Sequence, residues 1–95
     1  MIRKSPRIAF RTIDEETFIV TPWDQKLHGL NATGTALWRW LDEGVVTEEA
    51  LAARLAEEFE VDSARALADV RGWAQSLASA GVLEAEGSPR RVAHG

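Results

Sequence analysis

The sequence predicts an α+β domain in which a three-stranded antiparallel sheet is followed by a three-helix bundle. Three observations lead there. The stretch Leu30-Asn31-Ala32-Thr33-Gly34-Thr35-Ala36-Leu37-Trp38-Arg39-Trp40-Leu41 passes from an apolar segment into an amphipathic helix with almost no loop. Short β-branched or alternating segments precede that junction. Helical periodicity with recognisable capping residues follows it. At 95 residues, with four tryptophans and no cysteine, the chain is one small domain that relies on a core rather than on disulfides. Each large aromatic can bury on the order of 150–250 Å², enough for such a core to be feasible.

The elements follow in order. Arg7–Ile13 alternates loosely, with Ile8, Phe10 and Thr12 on one side, and reads as a half-buried strand. Asp14-Glu15-Glu16 is a polar turn, and Thr17–Thr21 is a second strand that completes a hairpin. Pro22 ends it, since proline offers no N–H to a ladder. Trp23-Asp24-Gln25 is a turn, and Lys26–Leu30 is a third strand containing Gly29. Asn31 is a strong N-cap for a helix over about 31–43, because its side-chain oxygen accepts from an otherwise orphan N–H. Leu37, Trp38 and Leu41 form the apolar stripe of that helix, and Gly44 marks its end. Thr47 caps a second helix, with Glu48 and Glu49 suited to its positive end and Leu51, Leu55 and Phe59 facing one way. Asp62 or Ser63 caps a third, running to about Ala80, with Leu67, Val70, Ala74 and Leu77 inward and Trp73 beside them. Gly81 stops it. Residues 1–83 make the domain, and 84–95, with Gly87, Pro89 and Gly95, read as a disordered tail. Strands on a compact helix-turn-helix look like a winged-helix relative, with the strands placed first.

Charge and motifs exclude several functions. The net charge is −4, against a general nucleic-acid binder. Arg3, Lys4, Arg7 and Arg11 gather at the start, but no apolar run follows, so this is not a signal peptide. No stretch is long enough to span a membrane, and the absence of cysteine suits a cytoplasmic protein. His28 and His94 are the only histidines, and no metal site is expected. The serines lie in caps, helix faces or the tail, in no nucleophile-elbow pattern. Gly29 and Gly34 match no phosphate-loop spacing. The acids of the second helix make a solvated face. We expect no catalysis and no cofactor. Two features can bind. The third strand, if at an edge, offers unpaired main-chain groups. The third helix sets small residues (Ala64, Ala66, Ala68, Gly72, Ala74) around Trp73, which can shape a shallow groove. An extended peptide added to the edge, with side chains towards that helix, uses both.

Leu30-Asn31 with Thr33-Gly34, the helix bearing Leu37 and Trp38, Gly44, Thr47-Glu48-Glu49 with Leu51, Leu55 and Phe59, and Asp69-Val70-Trp73-Leu77-Gly81-Leu83 resemble the PqqD family in order and spacing. The likeness covers about residues 7–84. Members of this group, also called the RiPP recognition element, have a winged-helix-like fold and are not enzymes. The resemblance implies a chaperone or adaptor that grips the leader of a ribosomally made precursor peptide. It presents that leader to a peptide-modifying enzyme such as a radical SAM protein. By position it implies a leader lying antiparallel along Lys26, Leu27, His28, Gly29 and Leu30, against a wall of Ala66, Asp69, Val70 and Trp73.

Two other readings compete. A winged-helix DNA-binding regulator is suggested by the helix-turn-helix over 47–80, but residues 62–83 set Asp62 and Asp69 against Arg65 and Arg71, and the second helix is acidic. A phosphate-reading surface is basic. A structural subunit that uses the same edge to form a homodimer, or to dock on an enzyme, is the other.

Overall fold

The computed structural model describes residues 1–85. Five strands and three helices follow in the order β1 (Ile2–Lys4), β2 (Ala9–Ile13), β3 (Glu16–Thr21), β4 (Lys26–Leu30), α1 (Ala32–Asp42), α2 (Glu48–Phe59), α3 (Ser63–Ser79) and β5 (Leu83–Ala85). The expected three-stranded antiparallel sheet is β2-β3-β4, with β3 central. Its registers pair Phe10 with Ile19 and Ile19 with His28.

Local chemistry sets the helix starts. Asn31 accepts from the Gly34 N–H at 2.9 Å, Thr47 from Ala50 at 3.1 Å and Asp62 from Arg65 at 3.2 Å. Gly44 and Gly81 take φ of 95° and 82° just past α1 and α3, a conformation that only glycine adopts freely. α2 ends instead on Glu60 at φ 53°. A run of threonines ties α1 to the sheet. The Thr12 and Thr17 hydroxyls lie 3.0 Å apart, Thr17 donates to Thr35 at 3.0 Å, and Thr35 donates to the Leu30 carbonyl at 3.4 Å. The threonine hydroxyls buried between strand and helix are thereby satisfied.

The core joins Ile19 of the sheet to Leu37 and Trp38 of α1, Leu51 and Leu55 of α2, and Val70 and Leu77 of α3, closed by Val82. Phe59 departs from the expected stripe. It lies at the last position of α2 and is 40% exposed.

A second sheet is absent from the sequence reading. β1 and β5 pair antiparallel, Ile2 with Ala85 and Lys4 with Leu83. Main-chain bonds from Ile2 to Val46 (2.7 Å) and from Ser5 to Val82 (2.9 Å) anchor it. The expected tail therefore begins too early, because Glu84 and Ala85 are strand. The rest of that expectation, residues 86–95, lies outside the described residues. Two residues of the basic N-terminal cluster form ion pairs within the chain. Lys4 is only 13% exposed, pairs with Asp42 at 2.9 Å and sits over the rings of Phe10 and Trp38. Arg3 pairs with Glu84 at 3.0 Å.

Candidate functional site

β4 is an edge of its sheet, and the ladder identifies its open groups. In an antiparallel ladder a residue sends its N–H and C=O to one neighbour, and successive residues alternate. The two-residue turn Asp14-Glu15 closes on the Ile13–Glu16 pair, so Glu16, Phe18 and Val20 serve β2. Thr17, Ile19 and Thr21 then serve Leu30, His28 and Lys26. That leaves Leu27 and Gly29 with N–H and C=O directed away from the sheet. Leu27 is 67% exposed, and a Cβ built on Gly29 meets nothing within 4 Å.

A groove of about 540 Å³ runs beside this edge. His28, Gly29 and Leu30 form one side, and Gly72, Trp73, Ser76, Leu77 and Ala80 of α3 and its end form the other. Trp73 is half-buried and backs the groove near Leu30. A Cβ on Gly34 would stand 3.2 Å from Trp73 Nε1 and 3.3 Å from Leu30 Cβ. Gly34 thus lets the first turn of α1 approach the indole. A Cβ on Gly72 would meet nothing within 4 Å, so this position leaves space open. A second cleft, of about 410 Å³, lies between Ile2, Leu83 and α3 and contains the Arg71–Glu48 ion pair. It borders no open edge of the three-stranded sheet.

The expected residues divide. Lys26, Leu27, His28, Gly29 and Leu30 all lie on the edge strand, with Lys26 exposed and Leu30 turned into the core. Trp73 lines the groove, while Asp69 is exposed one turn earlier and meets Arg65 at 3.8 Å. Ala66 and Val70 are both 0% exposed, belong to the core and do not line this groove. Past Trp73 the groove is lined by Ser76, Leu77 and Ala80, which the sequence analysis did not name for it. Their signal was present, since they lie three, four and seven positions beyond Trp73 on one helical face.

One acid is perturbed. The Thr21 hydroxyl hydrogen-bonds to the Asp24 carboxylate and lowers its pKa, with smaller contributions from the Lys26 N–H and the charges of Lys26 and His28; desolvation opposes them. Thr21 also meets His28 Nε2 at 3.2 Å, so the turn and the groove-lining histidine share one hydroxyl. Among the described residues, no three His, Cys, Asp or Glu side chains gather as a metal site requires. None of the described helices is long and apolar enough to cross a membrane.

A family model for coenzyme PQQ synthesis protein D (PqqD) matches residues 13–83. Comparison with the curated proteins finds no match. Among solved structures, TbiB1 in complex with the TbiA(beta) leader peptide superposes with a TM-score of 0.81 at 26% identity, over 90% of this chain and 99% of that one. Lasso peptide synthetase B1 complexed with the leader peptide gives 0.78 at 23% identity, over 88% and 98%. The second likeness concerns the fold.

Proposed function

This chain belongs to the PqqD family, and on that premise we propose that it is a leader-binding adaptor with no catalysis of its own. It takes the leader of a ribosomally made precursor peptide as an added strand on β4 and presents it to a modifying enzyme such as a radical SAM protein. The observation that carries this is the open edge at Leu27 and Gly29 beside a groove. Peptides are present on the structural neighbours TbiB1 and lasso peptide synthetase B1, which supports the same reading.

Magnitudes divide the work between main chain and side chains. Each bond to the N–H or C=O of Leu27 and Gly29 contributes about 1 kcal/mol net. Their sum falls short of the ~8 kcal/mol that micromolar binding needs. Guest side chains buried in the groove must supply the rest, at about 25 cal/mol per Å² of apolar area. The edge thus gives affinity for any extended chain, and the groove gives choice. The proposed site is Lys26 to Leu30 on one side and Asp69, Gly72, Trp73, Ser76, Leu77 and Ala80 on the other. The binding unit extends to residue 85, because β5 completes the second sheet. We place it in the cytoplasm, where a cysteine-free chain is at home.

Nothing supports the DNA-binding alternative. The arginines of α3 are both engaged by acids, Arg65 by Asp69 and Arg71 by Glu48, which leaves little charge for phosphate. The test is a titration with leader peptides encoded beside this gene, followed by backbone NMR. Shifts are expected at 26–30 and 72–80. Shifts elsewhere, or no binding below about millimolar, overturn the proposal. Light scattering over a range of concentrations reports whether the same edge pairs two copies instead.

A further inference from the structure

Just past Ala80, the last residue lining the groove on the α3 side, stands an indole that belongs to neither wall. β4 runs opposite to α3: Leu30 lies by Trp73, and the groove ends at Ala80. One residue further, Gly81 at φ 82° lies under the ring of Trp23, so closely that a Cβ there would fall 2.7 Å from Trp23 Cζ2. Arg7 also meets this ring, its guanidinium carbon 5.3 Å from the centroid. The turn that presents Trp23 is tightly held. Gln25 and Asp24 donate to the Thr21 carbonyl at 2.8 and 3.3 Å, the Thr21 hydroxyl bonds to the Asp24 carboxylate, and the Lys26 N–H donates to that carboxylate at 3.2 Å. Trp23 is nonetheless 43% exposed. A turn of this kind needs polar residues and proline, not an indole.

We propose that Trp23 is a register stop: it walls off one end of the β4–α3 groove and fixes where a bound peptide must leave the sheet. This rests on the peptide-binding reading above. Between Trp73 and Ala80 the helix advances about 10 Å at 1.5 Å per residue, room for about three residues of extended chain. On so short a track, a shift of two residues restores every main-chain bond and returns each side chain to its face. The ladder therefore cannot choose among registers, whereas a wall at one end can. Each pairing in this sheet is antiparallel, so a guest that continues the pattern runs from Leu30 towards Lys26. Its C-terminal side then meets Trp23. The stop sets the distance between the gripped segment and whatever follows it in the guest.

The test starts from a random library of short peptides displayed on phage and panned on the full chain. An enriched peptide is synthesised with a nitroxide at its C-terminal or its N-terminal end. In the native protein the C-terminal label is expected to broaden the Trp23 indole N–H signal, and the N-terminal label that of Trp73. In Trp23→Ala the same labels should broaden signals along the whole of β4, and the dissociation constant should rise about fivefold. Trp23→Phe, which keeps an apolar cover on Gly81, should fall between, so a fold lost in the alanine variant does not decide the matter. The register stop is overturned if the C-terminal label spares Trp23 in the native protein. It is equally overturned if both variants keep native broadening and affinity while the peptide still shifts residues 26–30. If no peptide is enriched, or the enriched peptides shift residues away from β4, the adaptor reading falls and the stop falls with it.

Discussion

The sheet has two edges, β2 and β4, and they differ in what lies beside them. Both present main-chain groups: by the same alternation, Phe10 and Thr12 face outward on β2 as Leu27 and Gly29 do on β4. The difference lies beside them. Next to β4 is a groove whose far wall carries Gly72, Trp73 and Leu77. Next to β2 is an aromatic cluster with a cation over it. Phe10 meets Trp38 edge-on at 5.1 Å, and the Lys4 ammonium lies 4.6 and 4.2 Å from the two ring centroids while pairing with Asp42. On the reading proposed above, an open ladder binds a peptide only where the neighbouring layer leaves room for side chains.

The largest test of that contrast places proline on each edge in turn. Gly29→Pro removes an outward N–H and sets a ring where the guest's backbone must lie, yet edge strands tolerate proline. Calorimetric titration should show peptide affinity falling by at least about a hundredfold. Thr12→Pro, the matching change on β2, should leave affinity within about twofold. Equal losses would abolish the distinction between the edges.

Next comes the groove itself. Gly72→Leu projects into open space, so it should weaken binding about tenfold. It should also raise thermal stability, since replacing a mid-helix glycine is worth up to about 1 kcal/mol. A more stable protein that binds as well as before would show that the groove is not used.

Lys4→Met probes the β2 side. Removing a shielded ammonium from two rings and Asp42 should cost about 1–2 kcal/mol in urea unfolding, with peptide affinity unchanged. The smallest effect belongs to Asp24. Its carboxyl titrates below the ordinary range in the folded protein because Thr21 donates to it. The stability it contributes is present above the unfolded value and is lost as pH falls through the folded one. The gap between the native protein and Asp24→Asn should therefore be flat near neutrality and close only in strong acid, as followed by unfolding over a pH series.

Much of this contrast was legible in the sequence, wherever the cause is local. Asn31, Thr47 and Asp62 cap helices through bonds to residues three positions on, so their chemistry can be read directly. The hairpin strands show in β-branched runs. β1 and β5 could not be read, because three residues display no period and Ile2 finds its partner at Ala85, at the other end of the described chain. The edge strand β4 was legible for the same local reason. The groove beside it is lined by later residues of α3 than the sequence suggests. Small residues mark a helix face that packs closely, and on α3 that face at Ala66 and Val70 packs inward against the core. Only the tertiary contact between Trp73, Gly34 and Leu30 shows which side of α3 faces β4.

The clasp between Ile2 and Ala85 has a practical consequence. Paired strands lie about 5 Å apart, so the polypeptide enters and leaves this unit through a single doorway. A host protein could carry it as an insertion in a surface loop, with short linkers and little disturbance to the flanking backbone. Such a graft would turn the grip on an extended peptide into a portable module for recruiting tagged substrates to an unrelated enzyme.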